Sequence, residues 1–427
     1  MHPELGILAD DLTGATDSGL QFAKCGRRTH ASLDGSASAA CDVLVLDADS
    51  RTRSPGEARQ RVVAAAQQLR AAGAQRFYKK IDSTGRGNLG VEAEAMLETL
   101  GAAAALVCPA FPQLGRTVLQ GTIHLRGVPL DQTEFARDPH WPATTASLEE
   151  LLHRQTTLPS AALPLADVRR GPVHLRNRLR ELIGDGKRLM IADAEAATDL
   201  RCLIEAVRQS EATILPIGSA GLAEWLTGTL ARPARPPIAI GLTREPILAV
   251  AGTINRVGLA QLVRLIESGV RLIQLPPEQA LLDPDDAARD AARDLAGQAR
   301  AGGCIALALL DPTMPAPDLA AIAQAHGLGV AEAAERLVRA LGSAVSLAMA
   351  DLVPAALILS GGDTARAVCG ALGAHGLDVH REAAPGVPIS LLEGGRWDGL
   401  PVVTKAGGFG QPDTLTQVVK ELEGMRQ

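Results

Sequence analysis

Aromatic residues are scarce: five Phe, three Trp and one Tyr make up 2% of the chain. Alanine and leucine abound in their place, which says little about function. Cysteine is sparse too, and no two of the six (Cys25, Cys41, Cys108, Cys202, Cys304, Cys369) form a CxxC pair. Four of them lie in or next to apolar runs, which points to buried free thiols and away from disulfides or a zinc site. The nine histidines include no HExxH and no paired metal spacing, so no metal site in the protein itself is expected. No apolar run approaches a membrane span, and Met1-His-Pro-Glu-Leu5 lacks the basic segment of a secretory signal. A cytoplasmic location is expected. An excess of one charge is also missing: 42 Lys and Arg against 48 Asp and Glu leave −6. That balance argues against nucleic acid or a membrane surface as partner. There is no GxxxxGK[ST], no protein-kinase motif set and no GxGxxG after an early strand. These absences exclude a P-loop or protein kinase and count against a nucleotide-dependent oxidoreductase.

What is present is a soluble globular composition, 46% hydrophobic and 21% charged, over 427 residues. That length calls for two or three domains. Apolar runs at Leu5–Ala9, Val43–Leu46 and Ala104–Val107, with Arg76–Ile81 between the last two, read as strands, each of the first three in chain order followed by a helical pattern. Residues 113–165 read as an irregular excursion rich in Pro, Thr and Asp, and the alternation resumes from Val173. Ala231-Arg-Pro-Ala-Arg-Pro-Pro237 cannot continue a helix and favours an extended connector. Beyond it, strands at 247–251, 270–274, 304–309 and 355–359 alternate with helices. The expected fold is α/β: two α/β domains, each with a mainly parallel sheet flanked by helices, with the active site in the interdomain cleft. The boundaries are 1–230, a linker at 231–246, and 247–427.

In open α/β sheets, ligands bind beyond the carboxyl ends of the strands. Here those ends carry Asp10 and Asp11; Asp49 and Arg51; Lys79, Lys80 and Asp82; with Arg116 in a following loop. Such a rim suits a small molecule. Farther on, Ala355-Ala-Leu-Ile-Leu-Ser-Gly-Gly-Asp-Thr-Ala-Arg-Ala-Val368 reads as strand, glycine turn and helix start, which leaves free N–H groups at a dipole's positive end. It can cradle nucleotide phosphates. A second glycine pair, Gly407-Gly408, can face adenine or ribose.

Seven motifs follow one another in order: Ile7-Leu-Ala-Asp-Asp-Leu-Thr-Gly-Ala-Thr-Asp17, Lys79-Lys-Ile-Asp-Ser-Thr-Gly-Arg-Gly-Asn88, Pro109-Ala-Phe-Pro…Gly115-Arg116, Gly127-Val-Pro-Leu…Phe135-Ala-Arg-Asp-Pro139, Gly218-Ser-Ala-Gly-Leu-Ala223, Ser360-Gly-Gly-Asp-Thr364 and Thr404-Lys-Ala-Gly-Gly-Phe-Gly410. Together they resemble the four-carbon acid sugar kinase family over nearly the whole chain. The resemblance implies an N-terminal domain for a four-carbon sugar acid and a C-terminal domain for ATP. It implies phosphoryl transfer to the terminal (4-) hydroxyl, for which the expected mechanism is closure of the two domains, exclusion of water and in-line attack. D-threonate is the first expected substrate, with D-erythronate and 3-oxo-tetronate as alternatives. Lys79-Lys-Ile-Asp-Ser-Thr84 looks like the threonate/erythronate branch, where the oxo-tetronate branch has a Cys-Ser-Thr-Phe-Asp-Ser-Thr type of run.

A sugar acid's carboxylate needs a fixed cation or hydroxyl and amide donors, and its alcohol needs a proton acceptor. Arg51, Lys79 or Lys80, and Ser83 with Thr84 are the carboxylate candidates. Strand alternation points Lys79 and Lys80 to opposite faces, and either alone also reads as a solvated strand-end charge. Asp10 and Asp11 can hold substrate hydroxyls, one of them acting as base; Asp11 or Thr13 reads equally as a helix cap. Asp82 is the alternative base, and the choice stays open. The resemblance adds Arg86 and Asn88 to the substrate set. For ATP the candidates are Thr253, Ser360, Gly361, Gly362, Asp363, Thr364, Lys405, Gly407 and Gly408. Mg²⁺ is expected with the ATP, held mainly by phosphate oxygens. A non-catalytic sugar-acid sensor hinged at the linker is the remaining alternative, and a homo-oligomer stays open.

Overall fold

A computed structural model describes residues 2–36, 41–137, 142–231, 236, 238–299, 302–315 and 317–426. Residues 232–235 and 237 of the expected linker, and Asp138-Pro139 of the fourth motif, lie outside the described residues. The chain divides into two compact units, 1–235 and 236–427.

Unit 1 is built on eight strands: β1 (Leu5–Ala9), β2 (Thr29–Ser32), β3 (Val43–Asp47), β4 (Arg76–Lys80), β5 (Ala104–Cys108), and, after a small separate sheet of β6 (Arg116–Leu119), β7 (Thr122–Leu125) and β8 (Val128–Pro129), also β9 (Ser160–Leu163), β10 (Leu189–Ala192) and β11 (Ile214–Gly218). The main sheet runs β2-β3-β1-β4-β11-β5-β10-β9, and every neighbouring pair is parallel. All five residues of β1 are buried, as a strand covered on both faces requires. Helices leave its edges with clear starts. Pro55–Ala71 opens on a Ser54/Glu57 capping box with Pro55 in its first turn, and buries Ala58, Val62, Ala65, Ala66 and Leu69 along one stripe. With few rings available, the core is aliphatic; the single Tyr, Tyr78, is buried and donates to the Ser219 carbonyl at 2.6 Å.

The order β2-β3-β1-β4 contains a reversal. From β1 the chain crosses to β2, returns to β3 between the two, and then restarts at β4 on the other side of β1. That switch point, between β1 and β4, is where an open α/β sheet leaves a crevice at the strands' carboxyl ends.

The first helix begins at Leu12, where Asp11 caps it. One local expectation needs correction. Residues 113–165 are not structureless: they hold the β6-β7-β8 antiparallel sheet, the helix Leu148–His153 and β9, which joins the main sheet's edge.

Unit 2 has β12 (Ile247–Ala251), β13 (Arg271–Gln274), β14 (Cys304–Ala308), β15 (Ala356–Ser360), β16 (Gly376–Ala384), β17 (Val387–Glu393) and β18 (Pro401–Lys405). Their order is β13-β14-β12-β15-β18-β17-β16, parallel as far as β18 and antiparallel beyond it. Here too the order reverses next to the unit's first strand, between β12 and β15. The β16–β17 hairpin was not anticipated from the sequence. All six cysteines are free, and burial pushes the thiols of Cys108, Cys304 and Cys369 up to about 12.

Candidate functional site

At the unit 1 switch point, Asp10 and Asp11 follow β1 directly. The 48–53 loop is pinned there by its backbone: Ser50 and Arg51 N–H groups donate to the Asp10 carbonyl at 3.1 and 3.2 Å. This delivers the Arg51 guanidinium to both carboxylates. Its Nε and Nη2 donate to Asp10 at 2.8 and 2.9 Å, and its Nη1 and Nη2 to Asp11 at 2.6 and 2.8 Å. Asp11 also accepts from Thr13 Oγ1 at 2.7 Å and, as helix cap, from Gly14 N at 2.8 Å. Of the two readings of the aspartate pair, the helix cap falls to Asp11, while Asp10 is buried with its carboxylate on Arg51.

Strand alternation separates the two lysines after β4. Lys79 is fully buried and pairs with Glu92 Oε2 at 2.6 Å. Lys80 is 5% exposed and makes no hydrogen bond or ion pair through its ammonium among the described residues. A Cβ placed on Gly14 would lie 2.8 Å from Lys80 Nζ, 2.6 Å from Asp11 Oδ1 and 3.7 Å from Asp10 Oδ1. Lys80 therefore rests over Gly14, beside both aspartates, with its donors unspent.

Asp82 is held differently. Arg86 Nε and Nη2 approach its two oxygens at 2.8 and 3.1 Å, and Thr84 donates to it from both its backbone N–H and its hydroxyl. Ser83 accepts from Arg116, and Arg86 lies 5.9 Å from the Phe135 ring. Asn88 donates to the Ser50 and Arg53 carbonyls at 2.9 and 3.0 Å, so it holds the Arg51 loop in place.

These contacts set the ionisation. Burial alone would raise the Asp10 carboxyl; the charges of Arg51, Lys79 and Lys80 override it, and Asp10 lies below the ordinary carboxylate value. Burial also opposes the charge of Asp82, and Arg86 with Arg51 more than offsets it, leaving Asp82 well below that value. Glu92 is the contrast: burial dominates and raises it, despite Lys79.

In unit 2 the switch point gathers uncharged donors. β12 runs into Gly252-Thr253, and Asn255 caps the helix Arg256–Glu267 by accepting from Val257 N at 2.9 Å. β15 ends at Ser360, 1% exposed, with no partner for its Oγ among the described residues. Gly361 follows with φ 111°, a conformation that glycine tolerates, and the helix Gly362–Ala371 begins, with Asp363 exposed in its first turn. A Cβ on Gly252 would meet Thr364 Oγ1 at 2.4 Å, and one on Gly407 would meet Thr253 Oγ1 at 2.9 Å. Thr253, the Ser360–Thr364 turn and the Gly407-Gly408 loop are therefore packed together.

Two sequence-predicted residues sit otherwise than expected. Lys79 is consumed by Glu92 in the interior and offers no free cation, because its strand position faces the helix Leu89–Leu100. Lys405 is 1% exposed and its ammonium donates to the carbonyls of Ala406, Gly407 and Phe409 at 2.6, 3.1 and 3.1 Å. It meets its own loop, not an open surface, and burial draws it down to about 7. Glu92, Gly14 and Gln261 were not anticipated as site residues. A signal existed for Glu92: an acid in the buried stripe Leu89, Glu92, Ala93, Met96 needs a buried cation.

The chain matches two family descriptions: a sugar-binding N-terminal domain over residues 5–226 and a nucleotide-binding C-terminal domain over residues 248–415. It is 34% identical to a D-threonate kinase of Salmonella typhimurium, covering 98% of each chain. It is 32% identical to a 3-oxo-tetronate kinase of Cupriavidus necator, covering 99% of this chain and 98% of that one. A crystal structure from Salmonella typhimurium superposes with a TM-score of 0.77 over 97% of this chain and 98% of the other, at 24% identity. That last likeness speaks for the fold.

Proposed function

The chain belongs to the four-carbon acid sugar kinase family, and from that premise we propose that it transfers the γ-phosphoryl group of ATP to the 4-hydroxyl of D-threonate, releasing 4-phospho-D-threonate and ADP. The observation that carries the reading is Lys80: a buried ammonium with no bonding partner, beside an aspartate–arginine cage at a switch point. A buried unpaired cation is costly unless an anion arrives, and the substrate's carboxylate is such an anion. Ser83, which accepts from Arg116, keeps its hydroxyl proton to donate, whereas that of Thr84 goes to Asp82.

Asp10 is the better proton acceptor for the attacking alcohol. An ionised carboxylate offers about four acceptor positions. Arg51 fills two on Asp10, whereas Asp11 receives Arg51 twice plus Thr13 and Gly14 N, and Asp82 receives the Arg86 side chain twice plus the Thr84 hydroxyl and N–H. Asp10 therefore keeps room for a substrate hydroxyl. Its low pKa makes it a weak base, which suits a reaction whose barrier falls mainly by positioning and charge stabilisation.

On the donor side, amides and hydroxyls suit phosphate oxygens better than a bare metal ion. Among the described residues no group of three or more His, Cys, Asp or Glu could hold a metal. Mg²⁺, which neutralises phosphate charge, would rest on the phosphate oxygens, with Asp363 the one carboxylate in the ATP set. Among the described residues no helix is long and apolar enough to cross a membrane, and the proposed setting is the cytoplasm, where ATP is available.

The 3-oxo-tetronate relative at 32% identity keeps that substrate as a second reading. Coupled ADP release over D-threonate, D-erythronate and 3-oxo-tetronate tests both. D-threonate should give the highest kcat/KM. Preference for the oxo acid would replace the first reading with the second, and substrate binding without ADP release would leave a sensor.

A further inference from the structure

Lys405 has three backbone carbonyls around its ammonium, and their direction has a consequence for the groups behind them. In a trans peptide the C=O of one residue and the N–H of the next point opposite ways, and no cis bond is present. Turning the carbonyls of Ala406, Gly407 and Phe409 onto Lys405 Nζ therefore turns the N–H groups of Gly407, Gly408 and Gly410 away from it. None of these three N–H groups has an acceptor among the described residues. Free amides in a glycine loop, with no acceptor of their own, are donors that an extended anion lying along the loop can take up.

Gln261, fully buried on the helix Arg256–Glu267, grips the same loop from outside. Its Nε2 donates to the carbonyls of Phe409 and Gln411, both at 2.9 Å. The loop is tied to the glycine turn as well: Gly361 N donates to the Lys405 carbonyl at 2.7 Å, and a Cβ on Gly407 would lie 4.0 Å from Gly361 Cα. On that turn stands Ser360, buried with its hydroxyl unpartnered.

We propose that Lys405 is a positioning residue that aims the Gly407, Gly408 and Gly410 amides at the phosphates of the bound nucleotide, and that it does not itself contact them. The inference rests on the nucleotide-kinase reading and names which backbone groups take the phosphate chain and what holds them. An ammonium facing the phosphates would have spare donors. This one has spent all three on carbonyls.

The test is Lys405→Met in the full chain, with ADP binding by calorimetry and amide exchange of residues 404–412 by mass spectrometry. Without nucleotide, exchange in the loop should speed up in the variant. ADP affinity should fall about tenfold, the loss of roughly one hydrogen bond to a charged group at the low end of its range, while KM for the sugar acid stays unchanged. Gln261→Leu, which loosens the same loop without touching a cation, should shift both readouts the same way, and it serves if Lys405→Met does not fold. Weaker ADP binding with unaltered loop exchange would make Lys405 a direct phosphate ligand and overturn the proposal. So would unaltered ADP affinity. A wild-type protein that binds no ADP would instead bring down the nucleotide reading itself.

Discussion

The two units place their candidate sites by the same topological rule and furnish them with opposite chemistry. Unit 1 surrounds its switch point with buried charge: Asp10, Asp11 and Arg51 interlocked, Asp82 on Arg86, and Lys80 left over. Unit 2 offers amides and hydroxyls from Thr253, Ser360, Thr364 and the glycine loops, and turns its one buried lysine inward. The difference follows the ligand each is proposed to hold. A small acid has one carboxylate and a few hydroxyls, so a fixed cation and fixed acceptors must select it. A polyphosphate has many anionic oxygens spread along its length, so fixed backbone N–H groups and hydroxyls suit it.

The sharpest way to break this contrast is at the carboxylates. Asp10→Asn should lower kcat by about 10²- to 10⁴-fold, the usual worth of a positioned proton acceptor, with KM for ATP little changed. Asp82→Asn should cost less in kcat and more in stability, since it removes the partner of Arg86 and Thr84. If both variants turn over near the wild-type rate, neither residue is the base.

The next effect belongs to Lys80. A hydrogen bond to a charged group is worth about 1.5–3 kcal/mol, so Lys80→Met should raise KM for the sugar acid roughly 10- to 150-fold. Gly14→Ala, whose Cβ would crowd the Lys80 ammonium, should move the same parameter by a smaller factor. Steady-state kinetics with each substrate varied separately distinguishes this from a change in KM for ATP, which would place Lys80 on the wrong ligand.

The smallest effect is acid sensitivity. Asp10 and Asp82 lie below their ordinary values in the folded protein. Their contribution to stability is therefore complete above the unfolded value of ~3.9 and is lost as pH falls through the folded values. Lys405 has the same sign of linkage in a higher window: drawn down to about 7, it makes stability rise with pH from there towards its ordinary 10.5, because the unfolded chain holds the proton longer. Pepsin cleavage of the full chain between pH 4 and pH 2 should begin in unit 1, and Asp82→Asn should flatten its pH dependence. First cuts in unit 2 would contradict the charge contrast.

Much of this was legible in the order of residues because parallel strands buried on both faces are continuous apolar runs, and their ends are marked by the first polar residue. Leu5–Ala9 followed by two aspartates, and Ala356–Ser360 followed by two glycines, needed no partner to be read. β2, with only Thr-His-Ala-Ser, carries no such run, and its strand state comes from pairing with β3, fourteen residues along the chain. In β16 and β17 polar residues interrupt the apolar ones, and the two strands hold each other across a tight turn.

Sequence alone determined the two α/β halves, the family, and that Lys79 and Lys80 face opposite sides, since these follow from local periodicity and from motifs. Which lysine would be free was decided by tertiary structure, through a glutamate thirteen residues along the chain from Lys79 that arrives on a packed helix. The same holds for Lys405, whose donors go to its own loop only once β18 and that loop have folded together. A charge's partner depends on distances between elements, and those distances exist only after the chain has packed.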